Sequence, residues 1–150
     1  MTPTCSSKAC RFAVLALCLG ALAAPTAQAQ VEKVTVRAQA QFGFDKAGVS
    51  PADRQRLLAE VGRMKGVTWQ TVTAVGHTDS MGPAPYNQAL AARRAGAVKA
   101  ALVGQGLPAA LVQTGAKGQS DPVADNRTES GRARNRRAEV VFEGVRNAAR

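Results

Sequence analysis

The first chemical anomaly in this chain is a guanidinium on the apolar side of a helix. Tyr86, Leu90, Ala97, Val98 and Ala101 recur at helical spacing and define one apolar stripe. Arg94 lies four residues from both Leu90 and Val98, so it falls within that stripe. A charge facing a core must be paired, or must reach an edge where the core meets a pocket. Arg93, one step round the helix, borders the stripe and is easily solvated. Immediately before this helix runs Gly76-His77-Thr78-Asp79-Ser80-Met81-Gly82-Pro83, which follows a β-branched stretch. Asp79 therefore sits where a strand gives way to a helix, a sheet edge at which ligands commonly lodge. Gly76, Gly82 and Pro83 shape a tight turn whose backbone N–H groups can approach a ligand. A carboxylate and a guanidinium lining one pocket suit a zwitterion, the Asp taking its ammonium and the Arg its carboxylate. Each residue also has a purely structural reading. Arg94 can snorkel or close an internal ion pair, and Asp79 can cap the turn that follows it.

Other chemistries find little material. His77, Asp79 and Ser80 fall within four residues and cannot readily adopt a relay geometry, so no catalytic triad is expected. His77 is expected instead to hydrogen-bond within its loop. It is the one histidine, and all three cysteines lie at Cys18 or before, which leaves no ordinary zinc set. Gly104-Gln105-Gly106 ends a helix where a phosphate loop would open one. Neither a metal nor another cofactor is expected. The cluster Arg132, Arg134, Arg136 and Arg137 is the strongest argument for an alternative, a polyanion or nucleic-acid binder. Glu129, Glu139 and Glu143 are interspersed there without aromatic interleaving, so a solvated or ion-paired face is favoured and no nucleic-acid partner is expected.

The elements that must position these residues can be read from periodicity. Val31 to Phe42 alternates through Val34, Val36, Ala38 and Ala40 as a strand. Ser50 caps a helix that opens at Pro51 with Asp53 in its first turn; Leu57, Leu58, Val61 and Met64 share a face before Gly66. Thr68 to Val75 reads as a buried strand, Tyr86 to Val103 as the second helix, and Leu111 to Ala116 as a short strand. Gln119 to Arg127 is an irregular loop, and Thr128 to Asn135 a short helix capped by Thr128. Ala138, Val140 and Phe142 alternate with charged residues in a last strand, and the tail after Gly144 is expected to fray. The order β-α-β-α-β-β predicts an α+β, two-layer unit, a mixed sheet covered on one face by two helices.

The chain has 150 residues and a formal charge of +10, from 20 Lys and Arg against 10 Asp and Glu. At 45% hydrophobic residues it can build one packed domain, while 4% aromatics argue against an extended base-stacking platform. Residues 1–29 read as a signal peptide: Lys8 and Arg11, an apolar run from Phe12 to Ala24, then Ala27-Gln28-Ala29 before cleavage. Lipidation at Cys18 is the weaker alternative, because the large Leu17 precedes it. Cleavage after Ala29 leaves residues 30–150 as one domain, removes every cysteine and takes away two of the positive charges. The expected destination is the periplasm, where nucleic acid is not the usual polymer.

Several blocks then assemble in order. Gly43-Phe44-Asp45-Lys46, the Gly76 to Gly82 run, Tyr86-Asn87-Gln88-Ala89-Leu90, Arg93-Arg94-Ala95, Asn126 to Arg132 and Asn135-Arg136-Arg137-Ala138-Glu139 resemble the OmpA-like peptidoglycan-binding domain, over about residues 33–143. The resemblance implies non-covalent, non-catalytic binding of peptidoglycan peptide stems, with Asp79 and Arg94 gripping diaminopimelate. It implies that Phe44 and Asp45 border the pocket, that Asn87 helps hold the ligand, and that Arg137 supports the site. Thr78 and Gly82 belong to the same ligand-binding block. The family's usual Ser within the helix motif is Ala91 here, a departure expected to weaken a local hydrogen bond and leave the Asp79–Arg94 pair untouched. No segment reads as a membrane barrel or transmembrane helix. Any anchor at the outer membrane or envelope is therefore expected from a partner protein.

Overall fold

The computed structural model describes residues 31–63 and 65–147. The expected leader, the Cys18 alternative and the packing of Met64 lie outside the described residues. The chain begins with β1 (Val31–Gln41), which turns Val34, Val36, Ala38 and Ala40 inward and leaves the intervening residues exposed. Helix α1 (Pro51–Arg63) opens as its sequence demands: Ser50 Oγ accepts from the Asp53 N–H at 3.0 Å and donates to the Asp53 carboxylate at 2.7 Å. Its apolar face buries Leu57 fully and Leu58 and Val61 partly.

Strand β2 (Thr68–His77) leads into α2 (Ala84–Val103), which starts at Ala84 instead of Tyr86. A 3-10 turn at Ala109–Leu111 precedes β3 (Val112–Gly118). Helix α3 (Glu129–Asn135) is capped by Thr128, whose Oγ1 accepts from the Gly131 N–H at 3.0 Å, and β4 (Arg137–Asn147) closes the fold. The four-stranded sheet has the order β1-β4-β2-β3, with β4 antiparallel to both neighbours and β2 parallel to β3. This is the expected α+β class and mixed sheet. The β2-α2-β3 crossover joins adjacent strands, whereas β4 inserts between β1 and β2. Strands β3 and β4 do not pair. The expected fraying after Gly144 does not occur over the described residues 145–147. Val31, Glu32 and Lys33 pair with Asn147, Arg146 and Val145, and Arg146 Nε donates to Glu32 at 2.9 Å. Backbone pairing along the β1 edge holds a segment whose polar composition suggested a loose end.

Leu57 of α1 and Val98 and Leu102 of α2 meet Val36, Val72, Val112, Val140 and Phe142 on one face of the sheet. Each such side chain contributes about 1.5–3 kcal/mol when fully buried. A bulge between Trp69 and Thr71 lets Trp69 and Val72, three residues apart, both face this core; Trp69 packs on Phe142 with ring centroids 5.7 Å apart. The opposite face, with Arg37, Gln39, Thr73, Glu139 and Val141, is open.

One contact fixes where α2 lies. A Cβ on Gly76 would stand 1.9 Å from the Ala91 carbonyl oxygen, so only glycine lets the helix approach the end of β2 this closely. That approach carries Asn87, Leu90 and Arg94 to the turn that holds Asp79.

Candidate functional site

A cavity of about 380 Å³ opens between the Gly43–Lys46 loop, the Asp79–Pro83 turn, the first half of α2 and Arg136. Phe44, Met81, Tyr86 and Leu90 give it apolar walls; Asp45, Asp79, Arg94 and Arg136 give it two carboxylates and two guanidiniums. A pocket with balanced opposite charges and apolar sides suits a zwitterion on an aliphatic stem. Among the described residues no three His, Cys, Asp or Glu side chains converge as a metal site.

Asp79 is 4% exposed. One carboxylate oxygen accepts the Met81 N–H at 3.1 Å, the Asx-turn bond that also satisfies the structural reading of this residue. Its other oxygen accepts from Arg136 Nη1 at 3.0 Å. Asn87, also buried, donates through Nδ2 to the Met81 carbonyl at 3.1 Å and to Gln119 Oε1 at 2.6 Å. It thereby ties the turn to the polar loop after β3. Gly82 takes φ 92°, where a side chain would be strained.

Arg94 is wholly buried, as its place in the stripe requires. Among the described residues its guanidinium reaches no carboxylate. Nη1 donates to the His77 carbonyl at 2.7 Å, Nε to that of Lys46 at 2.9 Å and Nη2 to that of Gly43 at 3.2 Å, above the Phe42 ring at 5.1 Å. Burial pushes its pKa down to about 10, with the nearby Asp79 charge opposing the fall, so it stays a cation at neutral pH. The anticipated Asp79–Arg94 couple therefore shares a cavity wall without a mutual bond.

Phe44, Asp45, Gly82 and Asn87 all line the cavity. Asp45 has φ 54° and accepts a short hydrogen bond from the Tyr86 hydroxyl. That bond, reinforced by partial burial, holds the Tyr86 phenol above its ordinary pKa. Tyr86 is 45% exposed, at the mouth of the pocket instead of within the core stripe, and Arg93 lies 5.7 Å over its ring. Thr78 is buried beneath the turn and donates to the Asp79 carbonyl at 2.9 Å; it shapes the site without lining it.

Arg137 and the His77 ring stand elsewhere than expected. Arg137 does not reach the pocket: it donates to Glu139 at 2.7 Å and to the Asp121 carbonyl at 3.3 Å, on the other face of the sheet. Neighbouring residues at the start of a strand point to opposite faces, so Arg136 takes the pocket side and Arg137 the far side. His77 shares that far side, and among the described residues both its buried ring nitrogens lack a hydrogen-bond partner. Burial, aided by the Arg137 charge, pushes its imidazole below the ordinary value; Glu139 and Asp121 pull the other way. What His77 gives the site is its main-chain carbonyl, held by Arg94.

The basic cluster is not a continuous patch. Arg132 pairs with Glu129 at 2.7 Å, Arg136 with Asp79 and Glu129 at 3.0 Å each, and Arg137 with Glu139 at 2.7 Å. Arg134 alone of the four is exposed.

The chain matches the OmpA family over residues 41–136. Over 114 residues it is 42% identical to outer membrane protein A of Bordetella avium, covering 76% of this chain and 59% of that protein. Over 100 residues it is 38% identical to the peptidoglycan-binding protein ArfA of Mycobacterium bovis, covering 67% of this chain and 31% of that one. The chain thus spans between about a third and three fifths of these curated relatives. The crystal structure of the peptidoglycan-associated lipoprotein from Burkholderia pseudomallei aligns with a TM-score of 0.60 at 30% identity, covering 70% of this chain and 89% of that one. Every residue lining the pocket falls inside the matched span, the resemblance read from the motifs is borne out, and the chain belongs to the OmpA family.

Proposed function

We propose that this protein binds peptidoglycan in the periplasm, without catalysis, and that its ligand is the diaminopimelate of the peptide stem. The observation that carries the reading is the charge-balanced pocket. Asp79 and Arg94 lie on its wall with Asn87, Phe44, Asp45 and Gly82 around them, in a chain of the OmpA family. The ammonium of the ligand's terminal amino-acid group would meet Asp79, its carboxylate the guanidinium side, and its methylenes the walls formed by Leu90, Met81 and Tyr86. Names of relatives support the same polymer: one is a peptidoglycan-binding protein and another a peptidoglycan-associated lipoprotein. Residues 1–29 would direct export and be removed, and an outer-membrane or envelope partner would supply any anchor. Affinity for one stem should be modest, because few charged contacts must offset the ordering of the ligand. The wall presents many stems, which raises the local concentration.

The test is co-sedimentation of residues 30–150 with purified sacculi. The wild type should pellet with the wall, and a folded Asp79→Ala variant should remain in the supernatant. Equal retention of both would remove the pocket from the account. Competition by soluble muropeptide at fixed salt separates this reading from general polyanion binding, which salt alone would reverse.

A further inference from the structure

The pocket uses the main-chain carbonyl of His77 and leaves its side chain idle. That ring is 1% exposed, and among the described residues neither nitrogen has a hydrogen-bond partner. A neutral imidazole carries one donor and one acceptor, so both are left unmade inside the protein. The charges that face the ring are already committed. From β4, Arg137 and Glu139 pair with each other at 2.7 Å; from β3 and the loop after it, Lys117 and Asp121 pair at 2.6 Å. On the α2 side Arg94 donates to the His77 carbonyl at 2.7 Å. A protonated ring would stand buried beside the Arg137 guanidinium, with two donors unmet and no free carboxylate among these groups. The wall able to give way is the segment from Gly118 to Asp121. Gly118 is the partner of His77 where the β2–β3 register shifts, and Arg137 holds the Asp121 carbonyl at 3.3 Å. The same segment is tied to the pocket. The Thr78 N–H donates to the Gly118 carbonyl at 2.8 Å, and Gln119 Oε1 accepts from Asn87 Nδ2 at 2.6 Å. Asn87 in turn holds the Met81 carbonyl of the Asp79 turn. Farther along, Asn135 pins Val123 and Ala124, which confines any movement to these few residues.

We propose that His77 is a proton sensor set behind the pocket. In acid its ring leaves the side of Arg137, the Gly118–Asp121 segment moves with it, and the Asp79 turn loses the Gln119–Asn87 tie and releases peptidoglycan. This rests on the peptidoglycan reading and adds its regulation. Gln119 is a positioning residue, acting on the ligand through Asn87. Burial holds the His77 imidazole below its ordinary 6.5; Arg137 and Lys117 push the same way, and Glu139 and Asp121 oppose them. The closed arrangement therefore prefers the neutral ring, and the opened one takes the proton near the ordinary value. Binding is complete above about pH 6.5 and weakens below it. One proton changes affinity by at most about tenfold between pH 6.5 and pH 5.5. His77 is the one histidine, and ordinary carboxylates stay ionised down to pH 5.5, so the window isolates this ring.

The experiment is calorimetric titration of the protein with soluble diaminopimelate muropeptide at pH 7.5 and pH 5.5 and fixed salt, with amide NMR of the free protein over the same range. The wild type should bind at least about threefold more weakly at pH 5.5. In the free protein the amides of Met81, Gly118 and Gln119 should titrate together with the His77 ring, with a midpoint below 6.5. His77→Leu, whatever its affinity at pH 7.5, should differ less than about twofold between the two pH values. Circular dichroism checks its fold, and His77→Gln takes its place if it does not fold. Gln119→Ala should bind more weakly at pH 7.5 and lose the pH dependence to the same extent. A wild-type change smaller than about threefold, a wild-type-sized change in either variant, or amides that stay still while the ring titrates overturns the sensor and leaves peptidoglycan binding standing. A wild type that binds at neither pH overturns both.

Discussion

Replacing Arg94 by alanine should destabilise the fold as well as weaken binding. The wild-type side chain is fully buried and donates to three carbonyls, at 2.7 Å for His77, 2.9 Å for Lys46 and 3.2 Å for Gly43. A hydrogen bond to a charged group is worth about 1.5–3 kcal/mol net, and the sum for three overstates the case. The Lys46 and Gly43 carbonyls sit on a loop that can turn to water, and removing the cation also removes its desolvation cost. The His77 carbonyl ends β2 beneath α2 and has no such escape. Counting one full bond and two partial ones gives a loss of about 3 kcal/mol. With a urea slope of about 2 kcal/mol/M, the unfolding midpoint should fall by about 1.5 M. Trp69 is the single tryptophan and packs on Phe142 in the core, so its fluorescence reports the transition. A folded Arg94→Ala protein whose midpoint stays within about 0.3 M of wild type, yet no longer binds sacculi, would show that Arg94 is purely a ligand group. The staple argued from these distances would then be wrong.

Three further outcomes follow from the same contacts. Gly76→Ala should cost about 3 kcal/mol or more, because its Cβ meets the Ala91 backbone oxygen and no flexible side chain can give way; it should abolish binding too, as α2 retreats with Asn87 and Arg94. Asn135→Ala should cost about 2–3 kcal/mol and speed amide exchange between residues 119 and 128. Its side chain accepts from the Val123 and Ala124 N–H groups and donates to the Ala124 carbonyl and Asn126. His77 should make the fold acid-sensitive. Its folded pKa lies below the ordinary 6.5, so the unfolded chain binds the proton first. Its contribution is complete above about pH 6.5 and is lost as pH falls toward the folded value, by up to about 1.4 kcal/mol per pH unit. Urea melts of wild type and His77→Leu between pH 8 and pH 5 should show this slope in the first and not in the second.

Much of this arrangement is legible in residue order. Alternation in β1 and β4, the Ser50 and Thr128 caps and the Arg94 anomaly each rest on a local period or a local bond, and such features survive folding unchanged. Strand parity in β4 also carried a usable signal: with Ala138, Val140 and Phe142 on the core side, Arg136 must share their face and Arg137 must oppose it. Reading the basic run as a cluster hid that. The partner of Asp79 was not legible, since 57 residues separate it from Arg136 and their meeting depends on β4 entering between β1 and β2. Tyr86 was misplaced for a related reason. Helical spacing defines a face, but not where along the helix the sheet beneath it ends. Beyond that end the same face borders a cavity.

The central claim is that a stem ligand occupies the cavity between the Asp79 turn and α2. A titration of residues 30–150 with soluble diaminopimelate muropeptide, followed by two-dimensional amide NMR, tests it residue by residue. Shifts should concentrate at Phe44, Asp45, Met81, Gly82 and Asn87, with the side-chain signals of Arg136 moving in step. The open sheet face at Arg37 and Val141 should stay unmoved. Shifts centred on Arg134 or on that open face, with the Asp79 turn silent, would contradict the account.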